Sequence, residues 1–350
     1  MMTPAVPLAS RLQATVARLV GRLPDGVARG LSLAPPLLID GQTLDPHVQG
    51  IRALRAPLNR HGLCEPTVAL GRQRYVHEAI ALRAAPAAVR SVRDVTVAGA
   101  AGSLDARLYE PVDPTTDLLV YFHGGGFVLG DLDTHDEPCR LLCRDARTRV
   151  LSVAYRLAPE HPFPAAVNDA IAAVRWAADQ AGTLGASRVS VGGDSAGGCL
   201  ATVAARTLAD APQRPAAQLL VYPLVDVAAR APSHALFGRA GLFLTEADVA
   251  DFTRHYAASP MDPRASPLRS DTFVDQSPAL VAVAGFDILR DEGVAYARAL
   301  RAAGTSTHEC TFPSLVHGFL HMTPAVPAAA QAVHTIAAAW RALLDTLPSP

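Results

Sequence analysis

From about residue 90 onward, the chain alternates between two hydrophobic rhythms. Val92 to Val97 and Leu104 to Tyr109 place apolar residues at every second position on either side of a Gly-containing turn, which predicts an antiparallel strand pair. Beyond them, short apolar segments take turns with helically spaced ones. Leu118 to Phe122, Val150 to Tyr155, Val189 to Val191, Leu219 to Tyr222, Leu280 to Ala284 and His308 to Phe312 read as strands. Glu137 to Arg147, Ala165 to Ala181, the segment following Ser195 to about Leu208, Glu292 to Ala303 and Ala328 to Leu347 read as helices. Strands that are apolar throughout are covered on both faces. The order therefore predicts an α/β fold with a mainly parallel, eight-stranded sheet between two layers of helices.

Two stretches depart from that rhythm. Residues 1–85 read as helical, with no strand signal. In residues 8–23, Leu8, Leu12, Val16, Leu19, Val20 and Leu23 share one helical face, with Arg11, Arg18 and Arg22 mostly away from it. The face is expected to cover part of the protein's own core; lying on a membrane surface is the alternative. A second helix starts with Asp45 as N-cap and Pro46 behind it, turns Val48, Ile51 and Leu54 inward and weakens at Pro57. A third runs from Thr67 to Arg83. Residues 227–270 hold several prolines and a helix from Glu246 to Tyr256, and their length suits a lid or cap better than a bare loop. The catalytic-domain candidate is thus 86–226 together with 271–350.

Composition narrows the function. With a formal net charge of −1 there is no basic field to attract nucleic acid. All 31 basic residues are Arg, so lysine Schiff-base chemistry is excluded. Five cysteines are odd in number and dispersed; Cys139 and Cys143 stand four apart on a helix with no second ligand pair, and reduced core thiols are expected instead of a metal site. There is neither a signal-peptide pattern nor an apolar run of membrane-spanning length, so a cytoplasmic protein without an integral membrane span is expected.

The chemistry gathers around residues 186–200. Val189 to Val191 leads into Gly193-Asp194-Ser195-Ala196-Gly197, the G-x-S-x-G pattern of a sharp strand-to-helix turn that presents a serine hydroxyl. Alone, the pattern arises by chance in a chain this long about one time in ten. Its neighbours decide the matter. A serine nucleophile needs a base and an orienting carboxylate, which in this arrangement follow it along the chain in the order acid, then histidine. Asp287 stands directly after the strand at 280–284, and His317 follows the last strand in the loop Ser-Leu-Val-His-Gly-Phe. Asp291 and Glu292 fit the first turn of a helix better, and His308, His321 and His334 are the weaker bases. Before the serine, the strand at 118–122 ends in His123-Gly124-Gly125-Gly126, a loop whose uncovered N–H groups suit an oxyanion; the N–H of Ala196 is a further donor.

Five blocks carry a resemblance: 121–136 (YFHGGGFVLGDLDTHD), 155–165 (YRLAPEHPFPA), 193–198 (GDSAGG), 286–293 (FDILRDEG) and 317–319 (HGF). In this order they resemble the hormone-sensitive-lipase family of esterases, bacterial family IV, over about residues 90–320. The resemblance implies an α/β-hydrolase fold and a carboxylesterase with Ser195, Asp287 and His317 as catalytic triad. It further implies Gly124, Gly125 and Ala196 as oxyanion donors, supported by His123 and Gly126, and no cofactor or metal. It also implies a small-molecule ester substrate of short to medium acyl chain and a cap built from residues 1–85 and 227–270, with Phe237 and Phe243 walling the pocket. Ile288 stands where the family often has proline, and the first 40 residues exceed its usual N-terminal arm. Tyr155, Arg156, Glu160 and His161 are expected to brace the loops, with Asp194 anchored to one of them. Many relatives pair through the last strand and the C-terminal helix, which puts a homodimer among the expectations. An interfacial lipase, an amide hydrolase with the same triad and a non-catalytic receptor are the competing functions; the last would be expected to lack a triad member.

Overall fold

The computed structural model describes residues 6–55 and 62–348, so the expected weakening at Pro57 lies outside the described residues. The N-terminal part holds α1 (Leu8–Val20), α2 (Asp25–Gly30), β1 (Leu38–Ile39), β2 (Gln42–Thr43), α3 (Pro46–Arg55) and α4 (Val68–Leu82). The alternating part follows: β3 (Ser91–Gly99), β4 (Gly102–Glu110), β5 (Asp117–Phe122), α5 (Asp136–Asp145), β6 (Arg149–Val153), α6 (Ala165–Asp179), β7 (Arg188–Asp194), α7 (Ala196–Thr207) and β8 (Gln218–Val221). After α8 (Pro232–Phe237) and α9 (Glu246–Tyr256) come β9 (Ala279–Phe286), α10 (Arg290–Ala302), β10 (Thr307–Val316) and α11 (Pro327–Thr346).

β3 to β10 form one eight-stranded sheet in the order β3-β4-β6-β5-β7-β8-β9-β10. β4 pairs antiparallel with both β3 and β6, and every other pairing is parallel. The period of two shows directly in β5: Leu118, Val120 and Phe122 enter the core beneath α6, α7 and α10, whereas Leu119 and Tyr121 enter the one beneath α5 and α11. Parallel strands place their C-terminal ends at one edge of the sheet, and the loops leaving β5, β7, β9 and β10 carry the chemistry-bearing residues there.

The N-terminal segment differs from the expectation in three ways. A two-residue hairpin, β1–β2, interrupts the helices; Asp40 (φ 54°) and Gly41 (φ 72°) form a turn with both central residues left-handed, and the strands are too short to show alternation. Asp45 does cap α3, accepting from the N–H groups of His47 and Val48, but Leu54 faces outward while Val48 and Ile51 are buried. α1 is rotated from the expected orientation: Ala14 and Val20 are buried, and Leu8, Leu12, Val16 and Leu19 are exposed. Small residues allow α1 to approach α3 and α4 closely, which leaves the large ones outside. Arg52 of α3 donates to the carbonyls of Ala240 and Gly241, and Asp248 of α9 accepts from the N–H of Leu63. The segments before β3 and after β8 are thus tied to each other.

The elbow is held by steric closeness. A methyl group on Gly197 would enter the carbonyls of Phe122 and His123, which brings α7 against the end of β5. Gly197→Ala should therefore lower stability by about 1–3 kcal/mol or more, read from urea midpoints. Gly182→Ala, at an exposed position with open space around it, should stay within ~0.5 kcal/mol of the parent.

Candidate active site

Ser195 sits at the turn between β7 and α7 with φ 54° and ψ −121°. A side-chain-bearing residue rarely adopts this conformation, at a cost of about 1–3 kcal/mol, and here flanking contacts impose it. The Ser195 N–H donates to the carbonyl of Val221, and its own carbonyl accepts from Cys199 and Leu224. The hydroxyl lies 3.0 Å from Nε2 of His317, whose Nδ1 lies 2.8 Å from Oδ2 of Asp287. Asp287 is 1 % exposed and also accepts from the N–H of Leu289. The structure thus brings together the three side chains expected from the sequence, in hydrogen-bonded sequence Ser–His–Asp. His317 packs 4.7 Å from the ring of Tyr222. In this setting Nε2 can take the serine proton as the carboxylate opposite holds the ring's orientation.

The oxyanion loop needs one correction. The N–H of Gly124, expected to face the oxyanion, points away from it and donates to Oδ1 of Asp194 at 3.0 Å, with Nε2 of His135 at 3.3 Å. Gly125 (φ 115°) and Gly126 (φ 62°) line the cavity beside Ser195, as does Ala196, and their N–H groups have no acceptor among the described residues. Gly126, expected only as support, thus presents an N–H without an acceptor among the described residues, whereas that of Gly124 is engaged. A Cβ on Gly126 would enter the ring of Phe252, and one on Gly125 the carbonyl of Leu129, so this loop tolerates nothing larger than glycine.

Asp194 is the anchor that holds the loop, through partners other than those expected. It accepts from the hydroxyl of Tyr121 at 2.8 Å and from the N–H of Gly124, and Nε2 of His135 stands 3.2 Å from its Oδ1. Burial alone would raise its carboxyl; His135 and the hydrogen bonds outweigh that and hold it below the usual carboxylate range. None of the four expected braces touches it. Tyr155 donates to the carbonyl of His123 at 2.7 Å, Arg156 pairs with Asp169 at 2.8 Å, Glu160 pairs with Arg72 at 2.7 Å, and His161 is exposed. Sequence reasoning missed His135 and Tyr121, although both lie in the quoted 121–136 block. His123, 1 % exposed and stacked 4.4 Å from Tyr155, has its pKa lowered to about 4, chiefly by burial and then by His135. His321, packed edge-on to His135 at 4.5 Å, is lowered to about 3 for the same two reasons.

His135, Asp194 and His321 also bring ligand-type atoms within 4.8 Å of one another. The carboxylate there is already engaged by Tyr121, Gly124 and His135, so the group is accounted for as a hydrogen-bond network. All five cysteines are free thiols, and burial pushes Cys64 and Cys143 up to about 12. Asp291 and Glu292 lie in the first turn of α10, where Glu292 accepts from the N–H groups of Val225 and Asp226. His308 lies in β10 and His334 on an exposed face of α11.

A cavity of about 500 Å³ opens on Ser195 and His317. Its walls include Leu12, Val16, Leu54, Phe243, Phe252 and Tyr256. Phe237, expected in the wall, is instead buried against Phe286.

A mainly parallel eight-stranded sheet with serine, carboxylate and histidine just beyond the ends of β7, β9 and β10 defines an α/β hydrolase of the serine type. The comparisons agree. Residues 119–321 match the family described as the alpha/beta hydrolase fold. The chain is 42% identical over 353 residues to the carboxylic ester hydrolase LipN of Mycobacterium tuberculosis, covering 96% of this chain and 93% of that one. It is 42% identical to the ethyl acetate hydrolase of Pseudomonas putida over 232 residues, 63% of this chain and 72% of that protein. Among solved structures, the hyperthermophilic esterase from the archaeon Pyrobaculum calidifontis superimposes with a TM-score of 0.81 at 36% identity, covering 86% of this chain and 99% of that one. This chain belongs to the alpha/beta-hydrolase family, within its hormone-sensitive-lipase-like branch.

Two outcomes follow from the loop and its histidines. Gly126→Ala keeps the backbone N–H, but its methyl would enter the ring of Phe252 and force the loop, and that N–H with it, to shift; kcat on p-nitrophenyl butyrate should fall by about 10²–10³-fold, the scale of one misplaced oxyanion donor. Acid should destabilise the fold through His123 and His321. Their folded pKa values are depressed, so below about 6.5 the unfolded chain takes up protons that the folded one refuses. Denaturation midpoints should be flat above pH 7 and fall from about pH 6.5 toward 4, where His123 alone accounts for a few kcal/mol.

Proposed function

We propose that this chain hydrolyses carboxylic esters by a two-step acyl-enzyme reaction at Ser195. The observation that carries the reading is the continuous Ser195–His317–Asp287 hydrogen-bond chain, set in an apolar cavity beside backbone N–H groups that have no acceptor among the described residues. His317 Nε2 takes the proton of Ser195 as Oγ attacks the ester carbonyl, and Asp287 stabilises the imidazolium that forms. The N–H groups of Gly125, Gly126 and Ala196 receive the oxyanion. His317 then gives its proton to the departing alcohol. A water, deprotonated by the same nitrogen, attacks the acyl-enzyme, and collapse of the second tetrahedral intermediate returns Ser195 and the acid. Every proton in this cycle passes through one nitrogen, and no cofactor or metal has a part in it.

The cavity lies within the ~300–1,000 Å³ range of small-molecule sites, and its apolar walls suit short- to medium-chain acyl groups. Residues 1–85 and 227–270 together form the cap in this reading; Arg52 and Asp248 support it by joining the two parts. Small esters are the proposed partner, without nucleic acid, in a cytoplasmic protein. Among the described residues no helix is long and apolar enough to cross a membrane. A homodimer through the sheet edge at β10 and α11 belongs to the same proposal; among the described residues β10 has β9 alone as a neighbour in the sheet.

Ser195→Ala should retain the far-ultraviolet circular dichroism of the parent and lose about 10⁴-fold or more of kcat on p-nitrophenyl butyrate. Turnover near the parental rate in a folded Ser195→Ala protein would place the nucleophile elsewhere.

A further inference from the structure

Among the described residues, nothing covers the outward face of α1. Leu8, Leu12, Val16 and Leu19 are 72, 58, 44 and 54 % exposed, and at 3.6 residues per turn they fall on one arc of about 80°. The helix turns Ala14, Ala17 and Val20 toward the protein instead, so this ridge of large side chains is a surface feature. Contiguous apolar surface of this kind marks an interaction site.

Charge and position select the occupant. Residues 1–24 contain no acidic side chain, and Arg11 and Arg22, both exposed, flank the ridge. Residues 1–55 hold six Arg and three Asp, a local positive excess in a chain of net charge −1. The ridge is also continuous with the catalytic cavity. Leu12 and Val16 belong to both, and Leu54, itself 38 % exposed, joins them at the rim.

We infer that the α1 ridge seats the enzyme on an anionic phospholipid surface, with the mouth of the cavity turned toward the lipid. Leucines would enter the headgroup–acyl boundary while the arginines meet phosphate, the usual division of labour on an interfacial helix. A second copy of the chain fits less well, because a face-to-face pair would oppose the arginines of one α1 to those of the other. The ridge stands on its own geometry; the orientation of the cavity toward lipid rests on the ester-hydrolase reading.

The test uses the full chain and a Leu8→Glu/Leu19→Glu variant, since neither residue lines the cavity. Cosedimentation is measured with phosphatidylglycerol vesicles and with phosphatidylcholine vesicles, at low and high salt, alongside hydrolysis of dissolved p-nitrophenyl acetate. The wild type should partition at least tenfold better onto the anionic vesicles, with salt weakening the difference. The variant should lose at least tenfold of that partitioning and keep its rate on the dissolved ester. A wild type that stays in the supernatant, or a variant that pellets equally well, overturns the proposal. So does a wild-type dimer that the variant breaks while neither protein binds vesicles. A wild type inactive on the dissolved ester would count against the esterase reading, and the vesicle arm would still decide the docking.

Discussion

A single buried carboxylate links the two halves of this site. Asp194, one residue before the nucleophile, accepts from Tyr121 on β5 and from the N–H of Gly124 in the loop that leaves β5, and lies 3.2 Å from His135 just ahead of α5. A carboxylate so far from water is costly unless its lone pairs are filled, and here they are filled by the segments that must be positioned. The strand that delivers Ser195 and the loop proposed to offer N–H groups to the oxyanion are thereby fixed to each other. The same contact engages the N–H of Gly124 inside the protein, whereas those of Gly125 and Gly126, which line the cavity, have no acceptor among the described residues.

Steric closeness completes what Asp194 begins. Glycines at 193 and 197 let α7 approach the end of β5, and Gly125 and Gly126 adopt left-handed backbone where a side chain would meet Leu129 or Phe252. The left-handed Ser195 is then the residue strained by its surroundings, with its hydroxyl held on Nε2 of His317. At the other end of the cavity the balance is reversed. α1 packs through small residues and leaves leucines in solvent, so the wall of the cavity and the surface of the protein share side chains such as Leu12 and Val16.

Most of the sheet was legible because its signal is local. The apolar runs of β5, β7 and β9 are buried from end to end, and Asp45 before α3 carries its own capping chemistry. Ser195, Asp287 and His317 were legible for a related reason, since each follows a strand whose end sets its position. What escaped depended on direction instead of sequence. The amphipathic pattern of 8–23 defines an apolar face but not which neighbour it meets, and alanines turned out to be the packing surface. Three consecutive glycines likewise reveal a loop without revealing which N–H faces inward; that depends on Asp194, 70 residues later in the chain. The β1–β2 hairpin left only an Asp-Gly pair as its trace.

The central claim is that Ser195 is the residue acylated during turnover, and its most direct test is covalent capture. The protein would be treated with diethyl p-nitrophenyl phosphate, its activity followed, and the labelled chain digested and mapped by mass spectrometry. The expected result is one diethylphosphoryl group per chain, confined to Ser195, appearing in step with the loss of esterase activity. Inactivation with Ser195 unlabelled, or labelling of Ser195 with activity intact, would contradict it.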